Sequence, residues 1–218
     1  MNSSGLRFRC SNAALEISSP AGGATGYNVA VFGPSLKLAF IGSHGVGKTT
    51  LCYGLAARLK RRDFGVDIVH EVARRCPLPL NEETTVAAQS WILHTQIAEE
   101  LVATERYPVV LADRSVLDNY VYLLLAAGLQ PALESLVNTW IRSYDLLVHV
   151  PISAPPSEDG LRATNPTFQR AVDERLRREL VARGVDTLYL EPDRQNEWID
   201  RVEREVLGRL QPAQLELL

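Results

Sequence analysis

The run Gly42-Ser-His-Gly-Val-Gly47-Lys48-Thr49-Thr50 has the residue types and spacing that a polyphosphate tail demands. It fits G-x-x-x-x-G-K-[S/T], in which consecutive backbone N–H groups turn inward to form an anion-binding nest. Gly42 and Gly47 permit the backbone dihedrals this turn requires. The loop feeds the N-terminus of a helix, whose free donors and positive dipole end favour anions. Lys48 is placed to reach the β- and γ-phosphates, and the Thr49 hydroxyl suits a magnesium ion. Gly42, His44, Gly45, Val46, Gly47, Lys48, Thr49 and Thr50 are therefore the expected nucleotide-binding residues, with a nucleoside triphosphate and Mg²⁺ as the expected ligands.

A second acid belongs with them. The apolar run Pro108-Val-Val-Leu-Ala-Asp113 ends in a carboxylate, the usual form of a strand tip that holds magnesium directly or through water. The other candidate strand, Leu146-Leu-Val-His-Val150, has no acid at its carboxyl end. Thr49 and Asp113 are thus the expected metal pair, although Asp113 also suits a cap for the helix from Ser115. Glu71 follows the second apolar run and can accept a proton from an acceptor hydroxyl. Arg74 and Arg75 suit an acceptor phosphate or ribose, or an ordinary surface pair. Trp91, with Gln89 and Gln96, would suit a base or pyridine ring, whereas Trp91 is more often core.

These residues need a parallel sheet to bring them together. Short apolar runs predict strands at 36–41, 66–70, 108–112, 146–150 and 187–190, rich in Val, Ile and Leu as strands buried on both faces must be. Helices are expected at 48–62, 82–106, 115–127, 131–142, 167–183 and 195–209, with Asn81-Glu82-Glu83 as a start signal and Gly128 as a stop. On 82–106 the expected core stripe is Val86, Leu93, Ile97 and Leu101. Trp198, Ile199, Val202 and Val206 form an apolar face on the last helix that suits packing on the sheet. The alternation predicts an α/β, three-layer fold: a five-stranded parallel sheet flanked by helices, with ligands at the carboxyl ends of the strands.

Composition narrows the class. The chain has 218 residues, 46% hydrophobic and 22% charged, ordinary for one globular domain with a substantial core. A net charge of −3 argues against a nucleic acid as main partner. Cys10, Cys52 and Cys76 share no metal-ligand spacing, so a reducing cytoplasm fits best, with Cys52 a small packing residue. The apolar run Val116 to Leu129 is broken by Asp118 and Asn119 and is too short to span a bilayer. Residues 1–35, rich in Ser, Gly, Ala and Asn, read as a flexible extension ahead of a domain at 36–212, with Tyr27 to Phe32 as a candidate extra edge strand.

Asp113-Arg-Ser115 adds specificity. A strand ending in acid-Arg-Ser resembles the deoxynucleoside kinase and thymidylate kinase group. The stretch from Leu36 to Leu210 is similar to the nicotinamide riboside kinase-type P-loop domain, classed with AAA-like ATP-binding proteins. That similarity rests on Gly42–Thr50, His70-Glu-Val-Ala-Arg-Arg75, Gln89-Ser-Trp-Ile-Leu-His-Thr-Gln96, Asp113-Arg-Ser115 and Asp159-Gly-Leu-Arg162. It implies ATP-dependent phosphorylation of a small ribosyl or nucleoside hydroxyl. It also implies Glu71 as the base, though those kinases favour Glu-Pro where Val72 stands here. Lys48, Asp113 and Arg162 would join Glu71 in catalysis, and Glu71, Arg74, Arg114 and Trp91 would bind the acceptor. The loop Ser153-Ala-Pro-Pro-Ser-Glu-Asp-Gly160 resembles a lid, with Arg162 first and Arg170 second as its arginines. Arg170–Glu174 and Arg175–Glu179 are four apart, the spacing of surface pairs, and Arg177 and Arg178 are left to solvent. Two other functions remain compatible: a nucleotide-dependent regulatory ATPase or GTPase switch, and a polynucleotide 5′-hydroxyl kinase. No Asn-Lys-x-Asp guanine-reading sequence occurs in the chain. Neither the acceptor nor the oligomeric state is encoded legibly.

Overall fold

The computed structural model describes residues 35–80, 84–153 and 165–210. Five strands, β1 (Leu36–Ile41), β2 (Val66–Val69), β3 (Val109–Asp113), β4 (Leu146–His149) and β5 (Thr187–Tyr189), form one parallel sheet in the order β2-β3-β1-β4-β5. Six α-helices connect or follow them: α1 (Lys48–Lys60), α2 (Val86–Arg106), α3 (Val116–Ala127), α4 (Pro131–Trp140), α5 (Pro166–Arg183) and α6 (Trp198–Leu210). Among these residues the expected three-layer α/β architecture holds, with every strand within a residue of its expected bounds. The candidate strand at Tyr27–Phe32 and the 1–34 part of the extension lie outside the described residues.

Alternation along each strand sorts the side chains into two cores. Leu36, Leu38 and Phe40 of β1, with Val109 and Leu111 of β3, pack against α1 and α6. Ala39, Ile41, Val110 and Ala112 face the opposite way, against α2, α3 and α5. Because successive strand residues point to opposite faces, Asp113 shares the parity of Val109 and Leu111 and lies on the α1 side. Parity alone therefore sets this acid beside Thr49. The apolar face of α6 behaves as expected, with Trp198, Val202 and Val206 buried in the same core.

Helix α2 departs from expectation in two respects. It starts at Val86, with Thr85 as the cap accepting the Ala88 N–H; Asn81 to Glu83 lie outside the described residues. Its stripe is also rotated: Val86 and Leu101 are exposed, whereas Gln89, Gln96 and Glu100 are buried with Leu93. Glu100 and Gln96 can take these inward positions because buried partners satisfy them, whereas Gln89 is paired only through its nitrogen and its Oε1 has no partner among the described residues. Glu100 pairs with Lys37 of β1, and Gln89 Nε2 donates to Thr84 Oγ1. The last turn of the expected fourth helix is a separate 3-10 turn, Ile141–Ser143, and another, Gln195–Glu197, precedes α6. None of the described helices is long and apolar enough to cross a membrane.

Candidate functional site

The phosphate loop joins β1 to α1 at the centre of the sheet. Gly42 has φ 140°, and a Cβ there would come within 2.5 Å of the Val150 carbonyl oxygen, so a side chain is excluded by both dihedral and space. Gly47, with φ 94°, stands at the N-cap of α1 with no side-chain cap, which leaves the first-turn N–H groups to the loop. Lys48 is buried, and its ammonium donates to the carbonyl oxygens of Gly42 at 2.8 Å and Ser43 at 2.5 Å. Burial, then the positive charge of Arg114, lower its pKa from 10.5 to about 8, against the opposing pull of Asp118, Asp113 and Glu71.

Several side-chain pairs lie around this loop. Thr49 Oγ1 donates to Asp113 Oδ2 at 2.6 Å, and Asp113 Oδ1 is buried without a hydrogen-bond partner among the described residues. A hydroxyl and a carboxylate, one of whose oxygens is buried and unsatisfied, are the hard oxygen donors that suit Mg²⁺. The alternative role of Asp113 as the α3 cap is not adopted. Ser115 caps that helix, accepting from Leu117 and Asp118 N–H, while Asp118 Oδ2 accepts from the Ser115 N–H in a capping box.

Glu71, just beyond β2, accepts from Arg114 Nε at 2.6 Å through Oε1 and from Arg74 Nε at 2.9 Å through Oε2. Burial alone would raise its carboxyl. Arg114, Lys48 and Arg74 outweigh burial and bring the pKa from 4.5 down to about 2. Arg114 itself has φ 93°, a left-handed backbone that residues with a Cβ rarely adopt. Its guanidinium lies over the Tyr122 ring at 5.4 Å, and its buried Nη1 has no hydrogen-bond partner among the described residues. Strained backbones of this kind persist where the surroundings over-determine them, often at functional sites.

Asp118 is a residue that sequence reading treated merely as a break in an apolar run. Its Oδ1 accepts the Gly42 N–H at 2.8 Å, so the α3 cap and the first glycine of the loop share one carboxylate. The spacing Ser115-x-x-Asp118 is a capping-box signature and was the available signal. Tyr122 was also missed, and only packing reveals it. Its hydroxyl meets His44 Nδ1 at 3.2 Å, and Phe168 of α5 stacks on His44 with ring centres 6.0 Å apart. Gln169 Nε2 donates to the His44 carbonyl at 2.9 Å, fixing the start of α5 against the phosphate loop.

A cleft of about 750 Å³ runs from Thr49, Asp113 and Glu71 along the outer edge of β2, past Arg74, Arg75, Tyr53 and His70. Arg75 is paired with Glu99 at its rim. Trp91 is half-buried on α2 and is not among the residues lining this cleft, nor are Gln89 and Gln96. Arg170 is exposed on the first turn of α5, where Nη2 meets Thr167 Oγ1 at 3.4 Å. Its expected pairing with Glu174 is replaced by Arg178–Glu174, whereas Arg175–Glu179 forms as expected and Arg177 pairs with Asp173. Arg162 and most of the lid loop, 154–164, lie outside the described residues. Cys52 is buried in the core, as its packing role requires.

The strand order, the glycine-rich nest and the Lys48–Thr49 start of α1 define a P-loop nucleotide-binding α/β domain. A family model described as an AAA domain matches residues 37–197, and the chain belongs to that family. No curated protein matches the sequence. Among solved structures, the chain is similar to deoxyadenosine kinase from M. mycoides with bound dATP, at 13% identity and TM-score 0.57, over 79% of this chain and 99% of that one. A second structure of that kinase, with the products dCMP and a flexible dCDP bound, aligns at 12% identity and TM-score 0.55, over 81% and 100% of the two chains. The fold is therefore that of the deoxynucleoside kinases.

Proposed function

We propose that this protein is a kinase that uses ATP and Mg²⁺ to phosphorylate a hydroxyl of a small nucleoside or riboside. One observation carries the reading: Lys48, the Thr49–Asp113 pair and the Glu71–Arg114 pair converge on the strand tips beside a single cleft. A cleft of about 750 Å³ has the capacity for a nucleoside-sized acceptor. The shared fold with deoxyadenosine kinases that bind dATP and dCMP supports the same class of substrates.

In the transfer, the bond from the γ-phosphorus to the β–γ bridging oxygen breaks and a bond to the acceptor oxygen forms. Lys48 and the loop N–H groups of residues 42–50 hold the β- and γ-phosphates. Arg114, whose buried Nη1 has no partner among the described residues, offsets charge on the moving group. Thr49 and Asp113 would hold Mg²⁺, which when bound neutralises the phosphate oxygens. Glu71 accepts the acceptor hydroxyl's hydrogen bond. Because Arg114, Lys48 and Arg74 outweigh burial and hold its pKa at about 2, it is a weak base, and proton transfer comes late, as a loose transition state allows. Arg74 and Arg75 line the acceptor's path. Arg162 and Arg170 are assigned to lid closure on resemblance, and Trp91, which does not line the cleft, is given no part in acceptor binding.

The test is ATP turnover with a panel of nucleosides and ribosides, comparing wild type with Glu71→Gln. Turnover that rises with one acceptor and collapses in the variant is expected. Equal turnover with and without every acceptor would overturn the proposal.

A further inference from the structure

Behind Arg114 lies a buried polar network that the transfer chemistry does not itself use. The Arg114 carbonyl accepts from Gln96 Nε2 at 2.8 Å. The same nitrogen donates to Glu100 Oε1 at 2.9 Å, and Gln96 Oε1 accepts from Asn119 Nδ2 at 2.5 Å. The orientation of this amide is therefore determined. Reversed, it would turn its oxygen onto two acceptors and its NH₂ onto a donor.

Glu100 anchors the arrangement at 0% exposure. Besides Gln96, it accepts from Tyr144 Oη at 2.6 Å, Lys37 Nζ at 2.9 Å and Trp140 Nε1 at 2.7 Å, two donors to each oxygen. Lys37 lies 4.5 Å from the ring centres of both Trp140 and Tyr144. Tyr144 Oη also accepts the Val116 N–H at 3.2 Å. Two arms thus leave Glu100 for the turn after β3: one through Gln96 to the carbonyl of residue 114, the other through Tyr144 to the N–H of residue 116. The left-handed step at Arg114 immediately precedes the first of these anchors, between the Arg114 N–H, which donates to the Phe40 carbonyl at 3.1 Å, and the Arg114 carbonyl held by Gln96.

A buried ion pair is weak evidence for stability, since apolar residues of similar volume often serve as well. What this network supplies that an apolar core cannot is a directed donor at the carbonyl of a strained residue. We propose that Gln96, oriented by Glu100 and Asn119, is a positioning residue that locks the Arg114 backbone so that its guanidinium meets Glu71 at the transfer site. The inference rests on the role given to Arg114 above, and acts through it.

The test uses full-length protein labelled with [¹⁵N]arginine. The Arg114 Nε–H resonance, assigned by its loss in Arg114→Lys, exchanges slowly in wild type because it is buried against Glu71. In Gln96→Leu it is expected to exchange at least about tenfold faster, with kcat reduced by about tenfold or more and KM for ATP changed less than about twofold. In an Arg114→Lys background the same substitution should add no further loss of kcat. Unchanged Nε–H exchange in Gln96→Leu, or losses of kcat that multiply in the double variant, would overturn the proposal. Should Gln96→Leu fail to fold, Asn119→Leu, which releases the amide orientation, is expected to give the same faster exchange, and unchanged exchange there would overturn it equally. If wild type turned over with no acceptor, the kinase reading would fail while the exchange measurement still decided the role of Gln96.

Discussion

The carboxylate of Asp118 accepts the backbone N–H of Gly42 at 2.8 Å while its second oxygen accepts the Ser115 N–H and hydroxyl. One side chain thereby ties the phosphate loop to the first turn of α3, across 76 residues of sequence. Asp118→Ala leaves two buried N–H donors unpaired and is expected to lower the unfolding free energy by about 2–3 kcal/mol. It should also weaken ATP binding by about tenfold as the nest loosens. Urea denaturation and nucleotide titration check both, and unchanged ATP affinity would count against the coupling.

Thr49 and Asp113 are predicted to act together on the metal. Wild-type affinity for ATP should be higher with Mg²⁺ than with EDTA, and this difference should vanish in Thr49→Val and in Asp113→Asn. Loss of the metal contribution is expected to slow turnover by about a hundredfold or more. A variant that retains the full Mg²⁺ effect would remove that residue from the metal site.

Lys48 makes pH act in opposite directions on binding and on stability. A triphosphate needs the ammonium, so ATP affinity should fall as pH rises above about 8, by at most about tenfold per pH unit. For the ligand-free protein the sign reverses. The folded pKa lies below the unfolded one, the unfolded chain binds more protons in that window, and stability from this residue rises with pH. The gain reaches about 3 kcal/mol at most and is isolated as wild type minus Lys48→Met in denaturation at pH 7 and pH 10. Parallel stability curves for the two proteins would refute the shift.

Glu71→Gln is expected to reduce kcat by about 10²–10³-fold, the range for a group that aligns and deprotonates a nucleophile. The pH profile is the sharper measure. With its folded pKa near 2 against 4.5 unfolded, Glu71 contributes stability that is complete above pH 4.5 and is lost as pH falls toward 2. It should therefore impose no acidic limb on activity above about pH 3. A limb near pH 5 that disappears in the variant would contradict the ion-paired state of the carboxylate.

Much of the fold and the phosphate loop is legible in the sequence. The strands read clearly because those buried on both faces must be continuous apolar runs, and Gly42 to Thr50 reads because a backbone nest tolerates few substitutes. Helix α2 read poorly, and its chemistry says why. Val86 and Leu101 suggested the inward face, yet Gln89, Gln96 and Glu100 occupy it, supported in part by Lys37, 63 residues from Glu100. No local period encodes a partner that arrives from another strand. The same holds for Tyr122, whose contacts with His44 and Phe168 exist only once α3 packs against the phosphate loop and α5. Asp118 lies between these cases, since its capping role is written in local spacing while its bond to Gly42 is not.

The strand order carries a consequence for assembly. β1 and β2 come early in the chain yet never pair with each other; β3, which ends at Asp113, inserts between them. A nascent polypeptide that has emerged through α2 holds two strands with no hydrogen-bond ladder to share. Cooperative sheet formation must wait for the segment that ends at Asp113, so a ribosome stalled before residue 109 would display an open precursor rather than half a sheet.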